Sequence, residues 1–229
     1  MKISGLQKLT LLDYPDHLAC IIFTQGCNFK CLFCHNSDLI STQTKVSLKE
    51  EEIMTYLEER KSILEGVVIS GGEPLLQSEI KNLIKKIKAK GLKVKLDTNG
   101  TNHQLLKELI DEKLIDYVAM DIKADADNYS KIIGKKEYDF NEIKSAIDIL
   151  IASGIDYEFR TTIVKEYHNI DLIENICKLI GNKSKYYLQN FVDSAGVLKK
   201  GLHGFSDEEL QSLKTKLNKN FPNVKIRGI

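Results

Sequence analysis

Prolines, long apolar runs and an excess of either charge are scarce or missing in this chain of 229 residues. Only three prolines occur and no linker-like stretch is present, which argues for one large domain rather than a string of modules. No run of about 18 apolar residues is found, so we expect no membrane-spanning helix. The 33 Lys and Arg nearly balance the 32 Asp and Glu, and a net charge of +1 gives no overall field favouring nucleic acid or an anionic membrane.

Cysteines are also few, and their spacing is uneven. Three of the five form a C-x3-C-x2-C run: Cys27, Cys31 and Cys34. An odd count, no apolar secretory segment ahead of the run, and a chain long enough to build its own core argue against a disulfide framework. We therefore expect a reducing, cytoplasmic setting. Cys20 and Cys177 lie within apolar runs and are interpreted as buried core residues.

Three thiolates at this spacing suit a four-iron cluster that keeps one iron open. An iron with a vacant site can chelate a small molecule and deliver one electron into it. The alternative is a zinc site made of the three cysteines and His35, which follows the run directly. Closed structural zinc sites usually pair their ligands as two short clusters separated by a longer loop, and here the second pair is missing.

Short β-branched runs alternate with longer amphipathic segments in βαβ order. Candidate strands are 18–24, 66–70, 93–97, 117–122, 157–164 and 186–189, with 224–226 as a candidate edge strand. Candidate helices are 47–63, 77–90, 102–112, 141–153, 172–181 and 206–218. Ser47 with Glu50 and Ser206 with Glu209 fit capping boxes. Six strand-helix units are too few to close an eight-stranded barrel, so we predict an α/β fold with a curved, open parallel sheet.

Polar motifs follow three of the candidate strands. They are Gly71-Gly72-Glu73-Pro74, Asp97-Thr98-Asn99-Gly100 and Asp121-Ile122-Lys123. The glycines allow the backbone to approach a ligand closely, and Glu73 presents a carboxylate acceptor. If Asp97 and Asp121 meet in a partly buried site, they repel each other unless a cation or a lysine compensates them. Arg160, within a β-branched strand, either faces solvent or lies inward with an anionic partner.

The string QGCNFKCLFCHN at residues 25–36, followed by the GGEP and DTNG motifs, resembles the radical S-adenosylmethionine superfamily. Within it, the chain is similar to the activating enzymes of glycyl radical enzymes, and most similar to the anaerobic ribonucleoside-triphosphate reductase activating proteins. The resemblance implies a single domain over 1–229, a partial (β/α)6 barrel whose open side faces a protein substrate, and a 4Fe-4S cluster. It also implies reductive cleavage of S-adenosylmethionine to methionine and a 5′-deoxyadenosyl radical.

The resemblance further implies roles for individual residues. The three cysteines of the run would ligate the cluster. Glu73 would bind the methionine ammonium group, and Phe33 would lie against the adenine. Asp97 and Asp121 would share a monovalent cation, and Asp13 matches an aspartate near the substrate's glycyl loop, although the family's Asp-Gly-Pro-Gly element is Asp-Tyr-Pro-Asp here. The implied cofactor-binding set is Phe33, His35, Gly71, Gly72, Glu73, Thr98, Asn99, Lys123 and Arg160.

The implied activity is the making of a glycyl radical on a partner enzyme. Anaerobic ribonucleotide reductase is the expected partner, and flavodoxin or ferredoxin is the expected low-potential electron donor. Two alternatives stay open. One is a radical enzyme acting on a small molecule such as a deazapurine precursor, and the other is a non-enzymatic metal-binding module.

Overall fold

The computed structural model describes residues 1–42 and 48–227. Its centre is one eight-stranded sheet whose strand order follows the chain. The strands are β1 (Ile3–Thr10), β2 (Ala19–Thr24), β3 (Gly66–Gly71), β4 (Lys93–Thr98), β5 (Tyr117–Asp121), β6 (Asp156–Ile163), β7 (Tyr186–Asn190) and β8 (Val224–Arg227). Strand β1 pairs antiparallel with β2, and every later neighbour pairs in parallel. Because β1 and β8 form the two edges, the sheet stays open, as the sequence predicts.

Helices make the six crossovers between β2 and β8. They are α1 (Glu50–Arg60), α2 (Ile80–Lys88), α3 (His103–Asp111), α4 (Ala126–Ile132), α5 (Asn141–Ser153), α6 (Ile170–Ile180) and α7 (Asp207–Leu217). The capping box of Ser206 and Glu209 is confirmed at the start of α7. The one expected at Ser47 lies outside the described residues, and α1 begins after Lys49, whose N–H donates to Glu52 Oε2 over 2.7 Å. None of the described helices is long and apolar enough to cross a membrane.

Two elements are absent from the sequence prediction. Strand β1 has mostly exposed or half-buried side chains, so it lacks the continuous apolar run that marks a strand buried on both faces. Helix α4 is only seven residues long and adds a turn-like segment between β5 and α5. The candidate edge strand at 224–226 is confirmed as β8.

Side chains alternate across each strand, and this alternation divides the core into two layers. On β4, Val94 and Leu96 pack with the residues of the helices. Lys95 and Asp97 therefore lie on the opposite face, which we call the inner face. A small apolar cluster covers the amino end of the inner face: Tyr14, Ala19, Ile21, Val68, Tyr117 and Ala119. At the carboxyl end, polar side chains replace it, and this is where ligands bind in open parallel sheets.

Candidate active site

The loop after β2 carries the three thiols and is fixed by its backbone. The Gly26 N–H donates to the Leu39 carbonyl over 2.7 Å, and the Lys30 N–H donates to the Ile133 carbonyl over 3.0 Å. Within the loop, the Cys34 N–H donates to the Cys31 carbonyl over 3.0 Å. A loop with these anchors holds its three cysteines at the wall of one pocket, close to the ends of β3, β4 and β5.

Of the three thiols, that of Cys31 is buried, and those of Cys27 and Cys34 are half-buried. Burial raises the pKa of Cys27 to about 11 and that of Cys31 to about 12, while the nearby Lys123 ammonium acts in the opposite direction on both. Such thiols ionise when a metal replaces their proton. The rings of Phe29 and Phe33 are almost fully buried and keep water away from them.

A buried hydroxyl beneath this loop supports the fit of a cluster. The Tyr129 O–H is buried and has no hydrogen-bond acceptor among the residues that the structure describes. Burial raises its pKa, and the Cys31 thiol adds to this increase, while the Tyr129 ring packs edge-on against Phe29 of the cysteine loop with centroids 6.1 Å apart. A sulfur-rich anionic cluster would supply the acceptor that the O–H lacks, so these residues fit a 4Fe-4S group.

The His35 ring contacts the segment after β7, whereas a zinc site would need it as a metal ligand beside the three cysteines. Its Nε2 lies 2.8 Å from the Val192 carbonyl oxygen, and its ring stacks on Phe191 with centroids 5.3 Å apart. In the described part of the chain, no three His, Cys, Asp or Glu side chains are arranged to hold a single metal ion. His35 thus joins the cysteine loop to the segment that follows β7.

Glu73 connects the loops after β3 and β4. Its Oε1 accepts hydrogen bonds from the Thr98 hydroxyl at 2.7 Å and from the Leu75 N–H at 3.0 Å, and its Oε2 accepts from the Asn99 N–H at 2.7 Å. The side chain is fully buried, and burial raises its pKa to about 7 against the lowering effect of these donors. These donors occupy both acceptor sites of Oε1 and one of Oε2, so Oε2 can accept a further hydrogen bond, and the group faces the pocket.

The two glycines before Glu73 line the pocket, and they also allow two backbones to meet closely. Gly71 has a φ of +122°, a conformation that favours glycine, and a Cβ on it would lie 2.3 Å from the Thr24 nitrogen. A Cβ on Gly72 would lie 2.1 Å from the Gly26 carbonyl oxygen. The Glu73 N–H donates to that same carbonyl over 2.8 Å. The glycines therefore bring the Glu73 loop against the start of the cysteine loop.

We expect Gly72→Ala to destabilise the protein by about 3 kcal/mol or more, because its methyl group would overlap a backbone oxygen that cannot rotate away. Gly91→Ala is the matched control, since a Cβ there meets nothing within 4 Å and only the positive φ of +80° costs about 1–2 kcal/mol. Urea unfolding of both cluster-free variants measures the difference. Equal losses of stability would show that the close approach at Gly72 is unimportant.

Charged side chains from three strands and one loop meet beyond these glycines. Arg160 Nε donates to Asp121 Oδ1 over 2.8 Å, and its NH1 lies 3.4 Å from Asp97 Oδ2. Lys123 Nζ donates to Asp121 Oδ2 over 2.9 Å. Burial alone would raise the pKa of Asp121, but Arg160 and Lys123 hold it well below its ordinary value. Arg160 therefore lies inward with anionic partners and does not face solvent.

With one exception, the structure brings the sequence-predicted site residues into a single pocket at the carboxyl end of the sheet. This pocket also includes Ser70, Thr162 and Gln189, which no motif signals because the alternation of side chains along β3, β6 and β7 sets their direction. The lining comprises Cys27, Phe29, Cys31, Phe33, Cys34, His35, Asn36, Ser70, Gly71, Gly72, Glu73, Asp97, Thr98, Asn99, Asp121, Lys123, Arg160, Thr162 and Gln189.

Asp13 is the exception: it lies outside this pocket, and its contact with the substrate loop stays a prediction. It lies in the turn between β1 and β2, where its carboxylate accepts a hydrogen bond from the Thr10 hydroxyl. Thr10 pairs with Ala19, the first residue of β2, whereas the pocket begins after Thr24 at the other end of that strand. Five residue steps of extended chain separate the two ends, about 16 Å. The antiparallel hairpin therefore carries Asp13 away from the cysteines.

Comparison with known proteins agrees with this architecture. The Radical SAM superfamily model matches residues 21–180. A protein of Methanocaldococcus jannaschii named as a glycyl-radical enzyme activating enzyme is 36% identical over 234 residues, covering 99% of this chain and 96% of its own length. A pyruvate formate-lyase-activating enzyme of Clostridium pasteurianum is 31% identical over 194 residues, covering 82% of this chain and 80% of its own.

Among solved structures, Streptococcus suis SuiB bound to S-adenosylmethionine shares the fold with a TM-score of 0.71 at 18% identity. The alignment covers 89% of this chain and 48% of SuiB, so this chain spans about half the length of that protein.

The open parallel sheet and the pocket with three cysteines at its carboxyl end define an enzyme of the radical S-adenosylmethionine type. The chain belongs to the Radical SAM superfamily and, within it, to the glycyl-radical enzyme activating enzymes. The cofactors of this superfamily are a 4Fe-4S cluster and S-adenosylmethionine.

Proposed function

We propose that this enzyme makes the glycyl radical of an anaerobic ribonucleotide reductase. The observation that carries the proposal is that three thiols, Glu73 and Arg160 lie in one pocket. Membership of the family implies a glycyl radical enzyme as the partner. The reductase is favoured by the string of the cysteine loop and by the cysteine count, since two remaining cysteines are too few for auxiliary clusters. We place the reaction in the reducing cytoplasm.

The proposed roles of the side chains follow from charge and position. Glu73 accepts a hydrogen bond from the cofactor's ammonium, and Arg160 donates to its carboxylate. Phe33 packs against the adenine, and Lys123 holds Asp121 beside the thiols. A cluster held by Cys27, Cys31 and Cys34 would supply one electron, received from flavodoxin or ferredoxin, for cleavage of the C5′–S bond of S-adenosylmethionine to methionine and a 5′-deoxyadenosyl radical. Transfer of a hydrogen atom from the glycine Cα to that radical would give 5′-deoxyadenosine and the glycyl radical.

The open sheet supports a protein loop as the substrate. The edges β1 and β8 do not pair with each other over the described residues, which leaves the inner face open along one side. The reacting Cα must come within van der Waals contact of the cofactor's 5′ carbon, so the loop must reach the carboxyl end of the sheet. Under this proposal, Asp13 contacts a part of the loop away from the reacting glycine, because it lies beyond the opposite end of β2 from the pocket.

The test uses the reconstituted enzyme, S-adenosylmethionine and a chemical reductant, with each partner added separately under anaerobic conditions. We expect a glycyl doublet in the electron spin resonance spectrum of the reductase, in amounts matching the 5′-deoxyadenosine formed. A reductase variant with Ala in place of its radical glycine is the control and should give no doublet.

Pyruvate formate-lyase is the second candidate partner, because a relative 31% identical is named as its activating enzyme. A doublet on the lyase and none on the reductase would move the assignment to that partner. Cofactor cleavage with no doublet on either protein would contradict both and favour the small-molecule alternative.

A further inference from the structure

Lys95 is a buried lysine for which the cofactor-binding scheme above has no use. It lies on β4 and its side chain is only 2% exposed. Its ammonium forms an ion pair with Asp97, two residues further along the same face, and lies 5.9 Å from the centroid of the Tyr117 ring. Lysines are almost never fully buried unless paired, because an unpaired charge in a dry environment is costly. Asp97 is the partner that keeps this charge inside the protein.

Every carboxylate oxygen of Asp97 and Asp121, the two residues of the expected cation site, already has a hydrogen-bond donor. Asp97 Oδ1 accepts from Lys95, and its Oδ2 lies 3.3 Å from the Ser70 hydroxyl and 3.4 Å from Arg160 NH1. Asp121 Oδ1 accepts from Arg160 and Oδ2 accepts from Lys123, over 2.8 and 2.9 Å. An alkali-metal ion at these two carboxylates would have to share their oxygens with cationic N–H donors already in place.

The charges lead to the same conclusion. Among the described residues, the Asp97 and Asp121 carboxylates interact with three cations: Lys95, Lys123 and Arg160. The next carboxylate on the inner face, Glu158, is already paired with Arg227 through two hydrogen bonds of 2.8 Å. This group around Asp97 and Asp121 has one positive charge in excess, which suits the carboxylate of the cofactor's methionine half, while Glu73 of the same pocket is assigned to the ammonium. A further bound cation would double that surplus in a site of low dielectric, so the monovalent cation that the resemblance implies does not fit this pocket.

We propose that the Lys95 ammonium takes the place of a bound alkali-metal ion as the charge that positions Asp97, and through it Arg160, beside the cofactor. Lys95 is then a positioning residue. Cofactor binding by this enzyme is independent of sodium and potassium, because the compensating charge is part of the chain. The inference rests on S-adenosylmethionine as the pocket's ligand and is separate from the identity of the protein partner.

The first experiment uses the unmodified enzyme. The dissociation constant of S-adenosylmethionine is measured on the reconstituted protein in sodium, potassium and tetramethylammonium chloride at equal ionic strength. Tetramethylammonium is too large and too poorly coordinated to fill a carboxylate site. We expect the three values to agree within about twofold. An affinity that is about fivefold or more higher in either alkali-metal salt would overturn the proposal.

The second experiment removes the charge. Lys95→Met keeps the length of the side chain, and Lys93→Met, at an exposed position on the same face of the same strand, is the control. We expect Lys95→Met to bind the cofactor about tenfold more weakly in tetramethylammonium and to regain most of this loss in sodium or potassium. Lys93→Met should match the unmodified enzyme in every salt.

Rescue by alkali-metal ions is the decisive readout, because a purely structural lysine would give a loss that no salt restores. Such a salt-independent loss, or no loss at all, would contradict the proposal. Thermal unfolding of the cluster-free Lys95→Met protein shows whether it folds, and if it does not, Lys95→Gln and the salt series on the unmodified enzyme still decide the question. A failure to form any glycyl radical would overturn the proposed partner and leave these binding constants unchanged.

Discussion

Cys31→Ala should bind no intact four-iron cluster and should cleave no S-adenosylmethionine. The expected loss is complete because the cysteine loop has three thiols and no spare. Neither of the other two cysteines can move in to substitute, since Cys20 lies on β2 among residues that pack with the helices and Cys177 lies on α6. Iron and sulfide content after anaerobic reconstitution, together with the yield of 5′-deoxyadenosine, measures the effect. Cys27→Ala and Cys34→Ala should behave alike.

Cys177→Ala is the control, because Cys177 is buried to the same degree but on the helix side of the sheet. It should keep its full iron content and lose only packing energy, about 1 kcal/mol. Cys20→Ala provides a second such control. If iron fell as far in the Cys177 variant as in the Cys31 variant, the assignment of the cluster to the loop would be wrong.

Glu73→Ala should weaken S-adenosylmethionine binding about tenfold to hundredfold while the cluster remains. It removes a charge-assisted hydrogen bond to the cofactor's ammonium, worth about 1.5–3 kcal/mol. It also leaves the Thr98 hydroxyl and the Asn99 N–H without their acceptor, which loosens the loop after β4. Titration of the reconstituted variant with the cofactor gives the dissociation constant, and its visible spectrum shows whether the cluster is retained.

The pH dependence of binding separates the charge of Glu73 from its structural role. Burial raises its pKa to about 7, and the protonated form has no charge with which to attract the ammonium. Affinity in the unmodified enzyme should therefore fall as the pH drops through 7, to about a tenth at pH 6 of its value at pH 8. Glu73→Gln cannot titrate and should bind weakly with a flat profile. A flat profile in the unmodified enzyme would show that Glu73 only joins the loops.

Most of the catalytic end of the molecule was predictable because of one geometric rule. The carboxyl ends of parallel strands meet at one edge, so motifs that directly follow β2, β3, β4 and β5 must be neighbours. This is why the cysteine run, Glu73, Asp97 and Asp121 could be assigned to one site before their contacts were known. The resemblance to the glycyl radical activating enzymes rests on the same strings, and the comparisons confirm it.

Sequence spacing did not describe the contacts between separate segments of the chain. Asp13 follows a family motif, but β1 runs antiparallel to β2 and carries its turn to the far end of the sheet, so its contact with the substrate loop stays a prediction. Gly71 and Gly72 line the pocket, and the nearby backbone of Thr24 and Gly26 leaves no room for a side chain on either of them. Both placements depend on segments that are far apart in the chain.

Lys95 marks the boundary between what the sequence alone determined and what only the tertiary structure decided. The sequence determined the strand, its alternation and thus the shared face of Lys95 and Asp97, because successive side chains point to opposite sides. By pattern alone, a lysine alternating with apolar residues belongs to a solvated face. The curved sheet instead brings Tyr117, Arg160 and Asp121 around that face and excludes water from it. The burial that makes Lys95 a candidate replacement for a metal ion is thus a property of the assembled sheet, since it depends on strands far apart in the chain.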